Sequence, residues 1–217
     1  MSSHYDSMGF WAKSIGYNYA ILRNKQEALN WLNEGVEYYL KIDEFEKREG
    51  NRIRYVHALR ILDCVVPLQD EGLYNTVSVT IEGLSPEPVP GTDRISTEIF
   101  EAYFDCMAPL LRGDYDTAAK RLPRLKKWEK DWKECKYYEG LSDSIEGIVQ
   151  EDGGQFLIGV GQILKIFKRR NAQLKGMPIC TEATSIFILA KRRGLKVELA
   201  DIDKKYRMLI ADVFIDL

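Results

Sequence analysis

Apolar side chains recur along most of this chain at three- and four-residue spacing, the repeat of a helix that turns one face inward. Between Tyr5 and Arg23, Phe10, Ile15, Tyr19 and Leu22 keep roughly that spacing. After Asn24 a second run begins at Lys25, with Leu29, Leu32, Val36, Tyr39 and Leu40 on one side and charge on the other, so the two runs read as a helical hairpin ending near Arg48. Glu49, Gly50 and Asn51 break the pattern, and a third helix from Ile53 to about Val66 meets Pro67, which is poorly tolerated inside a helix. Leu73 to Leu84 is ambiguous. Val77, Val79 and Ile81 alternate as in a strand, yet Leu73, Tyr74, Val77 and Ile81 suit a helix, and with helices on both sides the segment is read as helical. Ser85 to Asp93 then places three prolines and a glycine in one short run. This is the clearest loop, a connection between two halves of one helical domain covering residues 1–217, or else a recognition motif of polyproline type.

The second half repeats the helical pattern. Ile95 opens a helix with Ile99, Ala102, Tyr103, Met107, Leu110 and Leu111 inside, stopped at Arg112, Gly113 and Asp114. Asp114 or Asp116 can cap the next helix, where Ala118, Leu122 and Leu125 face inward and Pro123 should bend or shorten it. Further helices are expected over about Tyr137 to Gln150 and Gln155 to Leu174, the latter with Phe156, Val160, Ile163, Leu164 and Phe167 inside. The best-written unit is Met177 to Leu199. Pro178 suits a first helical position, Ile179, Ala183, Ile186, Phe187 and Ala190 share a face, Lys191, Arg192 and Arg193 suit the negative end of the helix dipole, and Gly194 suits a left-handed stop. Leu195, Val197 and Leu199 then alternate with Lys196 and Glu198, an extended return against the core. Together these segments specify an all-α protein, a bundle or an irregular repeat-like array of antiparallel helix pairs, with at most a short extended piece near the C-terminus. A loose internal echo supports the array. The turns at Gly113 and Asp152 lie 39 residues apart, and LRNKQEA at Leu22 resembles LRGDYDTA at Leu111.

Composition narrows function by subtraction. A 45% hydrophobic, 11% aromatic chain of 217 residues suits a substantial core, and a net charge of -2 lacks the electrostatic footprint of a general nucleic-acid binder. The lysines from Lys126 to Lys136 alternate with Glu129, Asp131 and Glu134, which reads as a solvated, salt-bridged face. Neither a secretory signal nor an apolar run long enough for a membrane helix is apparent, so a cytoplasmic protein is expected. Cys64, Cys106, Cys135 and Cys180 have no metal or disulfide spacing and read as buried thiols. His57, beside Val56 and Ala58, reads as a structural histidine, and the glycines of Ile158 to Gly161 read as small residues for close helix packing rather than a dinucleotide fingerprint. No cofactor, metal or catalytic residue is assigned.

Two acidic stripes remain. Glu98, Glu101 and Asp105, and likewise Glu139, Asp143 and Glu146, each align on one helix face, as a solvated surface, a docking surface for a basic partner, or less simply a carboxylate site. The order of elements, helical hairpins joined by turns such as LLRGDYDTAAKRL and closed by MPICTEATSIFILAKRRGLKVEL, resembles the bacterial immunity proteins of the Immunity protein 49 family. The resemblance covers most of Ile95 to Leu217 and, more diffusely, the N-terminal helices. It implies a cytoplasmic antitoxin that binds one cognate toxin, blocks it and performs no chemistry; on that reading Glu98, Glu101 and Asp105 are the first toxin-binding candidates and Glu139, Asp143 and Glu146 the second. A helical-repeat scaffold that binds a peptide is the alternative. The protein is expected as a monomer, or as a homodimer if Trp128, Trp132, Tyr137 and Tyr138 form an exposed patch, although core burial of some of them is favoured.

Overall fold

The computed structural model describes residues 2–51, 53–84, 94–131, 139–174 and 178–215. Helices α1 (Ser2–Ile21), α2 (Lys25–Arg48), α3 (Tyr55–Leu68), α4 (Glu71–Ile81), α5 (Arg94–Leu111), α6 (Tyr115–Asp131), α7 (Leu141–Gln150), α8 (Gly153–Leu174), α9 (Thr181–Arg193) and the single turn α10 (Lys204–Arg207) follow in order, with no strand among the described residues. The ambiguous segment after Leu73 is therefore a helix, as read. Residues 85–93 lie outside the described set, as do Trp132, Cys135, Tyr137 and Tyr138.

The first eight helices fall into four sequential pairs joined by turns of one chemistry. Arg23, Gln69, Gly113 and Glu151 each adopt a left-handed conformation, with φ of 59°, 53°, 72° and 57°. An Asn or Asp follows each one and accepts a backbone N–H three residues on: Asn24 from Glu27, Asp70 from Leu73, Asp114 from Thr117, Asp152 from Gln155. In three of these turns that residue's own N–H reaches back five residues, Asn24 to Tyr19, Asp114 to Pro109 and Asp152 to Gly147, which satisfies carbonyls at the end of the first helix. The echo between LRNKQEA and LRGDYDTA is this turn: a left-handed residue followed by an Asx cap.

Proline acts differently in two helices. Pro67 lies in the last turn of α3, which ends one residue later at Leu68, close to the end the sequence predicts, whereas Pro123 lies inside α6, which continues to Asp131 without being shortened there. Each removes one backbone donor, and buried neighbours on the same helix, Val65 and Val66 beside Pro67 and Leu122 and Leu125 around Pro123, hold the helical path.

Helix α9 runs through the middle. Every residue from Ala183 to Ala190 is buried, and α9 packs on α3, α7 and α8. A helix apolar or small all round belongs inside a protein. Its start differs from the sequence reading: Cys180 is the N-cap and Thr181 the first helical residue, so Pro178 precedes the helix by three positions. Its end follows the reading, with Gly194 at φ 94° as the C-cap. The extended return is present as a buried and exposed alternation, Leu195 and Val197 in, Lys196 and Glu198 out. The tail then lies over α9, where Cys180 donates to the Leu209 carbonyl at 2.7 Å and Ala211 donates to Thr184 Oγ1 at 3.2 Å.

Helix α7 meets α8 at very close range. A Cβ on Gly159 would stand 2.3 Å from the Ser144 nitrogen, and one on Gly147 would stand 2.4 Å from the Phe156 nitrogen, so only glycine fits either place. Close packing is thus the role of the first glycine in the Ile158 to Gly161 run, while Gly161 has open space around it.

Candidate interaction surface and a buried polar cluster

The two acidic stripes flank one basic ridge. Helix α6 lies between α5 and α7, and its cations face both ways. Arg124 bridges Glu101 at 3.1 Å and Asp105 at 2.9 Å, while Arg121 donates to the Asp105 carbonyl at 3.0 Å. On the other side Lys126 pairs with Glu146 at 2.6 Å, and Gln155 donates to Asp143 at 2.9 Å. Glu98, one turn before Glu101, is half-buried and also engaged, whereas Glu139 is exposed before α7 begins. The stripes are therefore not bare negative patches. They are carboxylates held in place by α6 and α8, and burial still pushes the Asp105 carboxyl above its ordinary range despite the Arg124 and Arg121 charges.

Above this ridge Glu82, just after α4, takes two bonds from the Arg112 guanidinium at 2.8 and 3.0 Å and one from Arg121 at 3.0 Å. Those bonds, Arg112's first, hold its carboxyl below the ordinary range. Below the ridge Glu129 of α6 receives the Ser142 N–H at 3.0 Å and the Ser142 hydroxyl, thereby capping α7, whose own N-cap residue Gly140 has no side chain to do so. Burial pushes the Glu129 carboxyl up to about 7, against the Ser142 bonds and with the nearby Asp143 charge.

A second group of polar residues lies where α1, α3 and α9 meet. Lys13 is buried and paired with Asp63 at 2.8 Å, and the Tyr17 hydroxyl donates to the Asp63 carbonyl at 2.8 Å. Burial alone drives the Lys13 ammonium down, and Asp63, through charge and hydrogen bond, more than reverses this. Glu182, at the start of α9, is pushed up by burial and by the Asp63 charge, with Lys13 and Arg170 pulling it back. Together with Cys180, Arg170, Leu141, Ile163, Ile166 and Phe167 it lines a cavity of about 20 Å³, room for roughly one water. Cys180 Sγ is 3.7 Å from Glu182, and burial holds the thiol well above its ordinary value, which favours the protonated form. The cluster couples three helices by charge in a low-dielectric setting. Its signal in the sequence is the lone charge inside an apolar run, as with Asp63 in ILDCVV, and sequence reasoning passed over it.

The other candidates have settled places. Cys64, Cys106 and Cys180 are buried free thiols, as expected. His57 is buried, with Nε2 3.2 Å from Asp6, but its Nδ1 has no partner, so the histidine is only half satisfied, and burial lowers its pKa. Trp128 packs partly against the core with Lys127 over its ring, so of the four aromatic residues named for a surface patch the one described here is not freely exposed. Among the described residues no His, Cys, Asp and Glu group could hold a metal ion, and no helix is long and apolar enough to cross a membrane. Comparison with family models, curated proteins and solved structures finds no match.

Proposed function

We propose that this protein is a cytoplasmic immunity protein that binds one cognate toxin and blocks its active or substrate-binding surface without chemistry of its own. The observation that carries the reading is the ridge of α6, framed on one side by Glu101 and Asp105 and on the other by Asp143 and Glu146. These carboxylates are held in place by ion pairs and hydrogen bonds before any partner arrives, so a basic surface that docks there shares them with, or displaces, Arg124 and Lys126 and orders few new side chains. A toxin that acts on nucleic acid has such a surface, and carboxylates can take the place of phosphates on it. The resemblance to the Immunity protein 49 family in the hairpins and in Met177 to Leu199 points the same way.

The test is to identify the neighbouring gene and co-express its product's C-terminal domain, a toxin on this reading, with this chain. Growth should be rescued, and the triple reversal Glu98→Lys, Glu101→Lys, Asp105→Lys should weaken toxin affinity at least tenfold and abolish rescue. An unchanged affinity in a variant that still melts cooperatively removes these residues from the interface. Loss of rescue by the wild-type chain removes the reading itself. A helical-repeat scaffold is the second reading, favoured by the four equivalent turns at Arg23, Gln69, Gly113 and Glu151.

A further inference from the structure

Helix α1 is built inside out. The residues it turns toward α2 are small, Gly9, Ala12, Gly16 and Ala20, and a Cβ on Gly16 would come within 2.9 Å of the Leu32 side chain. Close approach to α2 therefore uses up small residues, Tyr17 is the large side chain that α1 buries, and five other large apolar residues at α1 and its end point outward. Met8, Phe10, Trp11, Ile21 and Leu22 are all exposed, Trp11 by 63% and Leu22 by 74%, although apolar spacing alone suggested that Phe10 and Leu22 face inward.

The outward residues have a second order. The exposed Met8, Trp11, Asn18 and Leu22, with the half-buried Ile15 between them, follow one another at steps of three and four, which places Met8, Ile15 and Leu22 seven apart, as the a positions of a heptad, and Trp11 and Asn18 at d. The flanking g positions are Ser7, Ser14 and Ile21, and the e positions Ala12 and Tyr19, so no ionised side chain borders the seam from α1 itself. The two charged residues of α1 are both engaged inside the molecule, Asp6 with Arg60 and His57, Lys13 with Asp63. In a chain that is 29% charged this is an uncommon helix face.

We propose that this face is the interface of a homodimer, with α1 packed antiparallel on α1 of a second copy about a two-fold axis near Ile15. A two-fold brings a surface against itself, and a face without charge meets its own copy with neither like-charge repulsion nor a buried unpaired ion. The axis sets Met8 of each copy against Leu22 of the other, Ile15 against itself, and Trp11 near the polar Asn18, a residue type that fixes register in such seams. The guanidinium of Arg60 over the Phe10 ring and the exposed Arg23–Asp212 pair supply a polar rim. Met8, Trp11, Ile21 and Leu22 expose on the order of 450 Å² per copy, within the range of the largest patch on a monomer, while Phe10 lies off the seam at the rim, and two such faces approach the lower limit of a specific interface. The dimer is accordingly one that dissociates on dilution. This inference stands independently of the toxin-binding reading, because α1 lies outside the α5–α7 ridge.

Sedimentation velocity of the full chain from low to several hundred micromolar tests it. The wild type should pass from monomer to dimer, and Trp11→Glu with Leu22→Glu should raise the dissociation constant at least tenfold at an unchanged melting temperature. Leu22→Glu alone, beyond the helix end, serves if the double variant folds poorly, and Val79→Glu, at a residue 69% exposed on α4, should leave the dimer intact. A wild type that stays monomeric throughout, or a dimer indifferent to charge on α1, overturns the proposal, the first outcome leaving the face to a different apolar partner.

Discussion

Glu129 shows how one side chain can act through two opposing effects. Its carboxyl caps α7 through Ser142, which favours the anion, yet burial raises it to about 7. A carboxyl raised above its unfolded value of 4.5 binds more protons in the folded chain than in the unfolded one across that interval. Its contribution is therefore fully present below pH 4.5 and is lost as pH rises through about 7. Melting temperature measured across this window should fall more steeply with rising pH for the wild type than for Glu129→Gln, by about one proton in the linkage slope. His57 works in the opposite sense: lowered by burial, it stays neutral where the unfolded histidine charges, so stability is lost as pH falls below its ordinary value of 6.5. Comparing Glu129→Gln with wild type separates the two.

At the scale of elements, the recurring turn is only partly legible in the sequence. Gly113-Asp114 carries both a residue suited to a left-handed conformation and an Asx cap, whereas at Arg23-Asn24, Gln69-Asp70 and Glu151-Asp152 the left-handed residue is an ordinary helix former and only the Asn or Asp after it marks where the next helix begins. Asp152 accepts from both Gly154 at 2.8 Å and Gln155 at 3.0 Å. Asp152→Ala should cost about 1 kcal/mol in urea unfolding, the usual loss of an Asx cap. What spacing left illegible was which face of α1 points in. Helical period marks Phe10, Ile15, Tyr19 and Leu22 as one set, but glycines and alanines can also form a buried face when the neighbouring helix comes close enough. The acidic stripes were legible as residues and not as a charge state. Arg124, Lys126 and Gln155 come from other helices, so their pairing with Asp105, Glu146 and Asp143 is tertiary information that no helix face contains.

On the scale of the whole molecule, α9 joins the pairs. The residues Lys191, Arg192 and Arg193, which complement a helix dipole by sequence, also tie distant elements together. Lys191 pairs with Glu198 at 2.7 Å. Arg192 donates to the Leu111 carbonyl at the end of α5 at 2.8 Å, pairs with Glu71 of α4 at 2.6 Å and lies over the Tyr74 ring. Arg193 pairs with Glu151 at 2.6 Å and lies 4.0 Å over the Tyr115 ring of α6. At the centre Phe187 is fully buried and meets Phe156 of α8 edge to face at 5.5 Å. Phe187→Ala should destabilise the chain by about 3–5 kcal/mol in denaturant unfolding, and a near-neutral result would place α9 at the surface.

The position of α9 in the chain has a temporal consequence. The helix that fills the middle is synthesised after all eight helices that surround it or pair around it, so during translation the inward faces of α3, α7 and α8 have nothing to enclose. Local hairpins can form as they emerge from the ribosome, whereas the contact of α3 with α9 joins elements far apart in sequence and must wait. Until α9 emerges, the faces of α3, α7 and α8 that it covers stay open to water and to other chains.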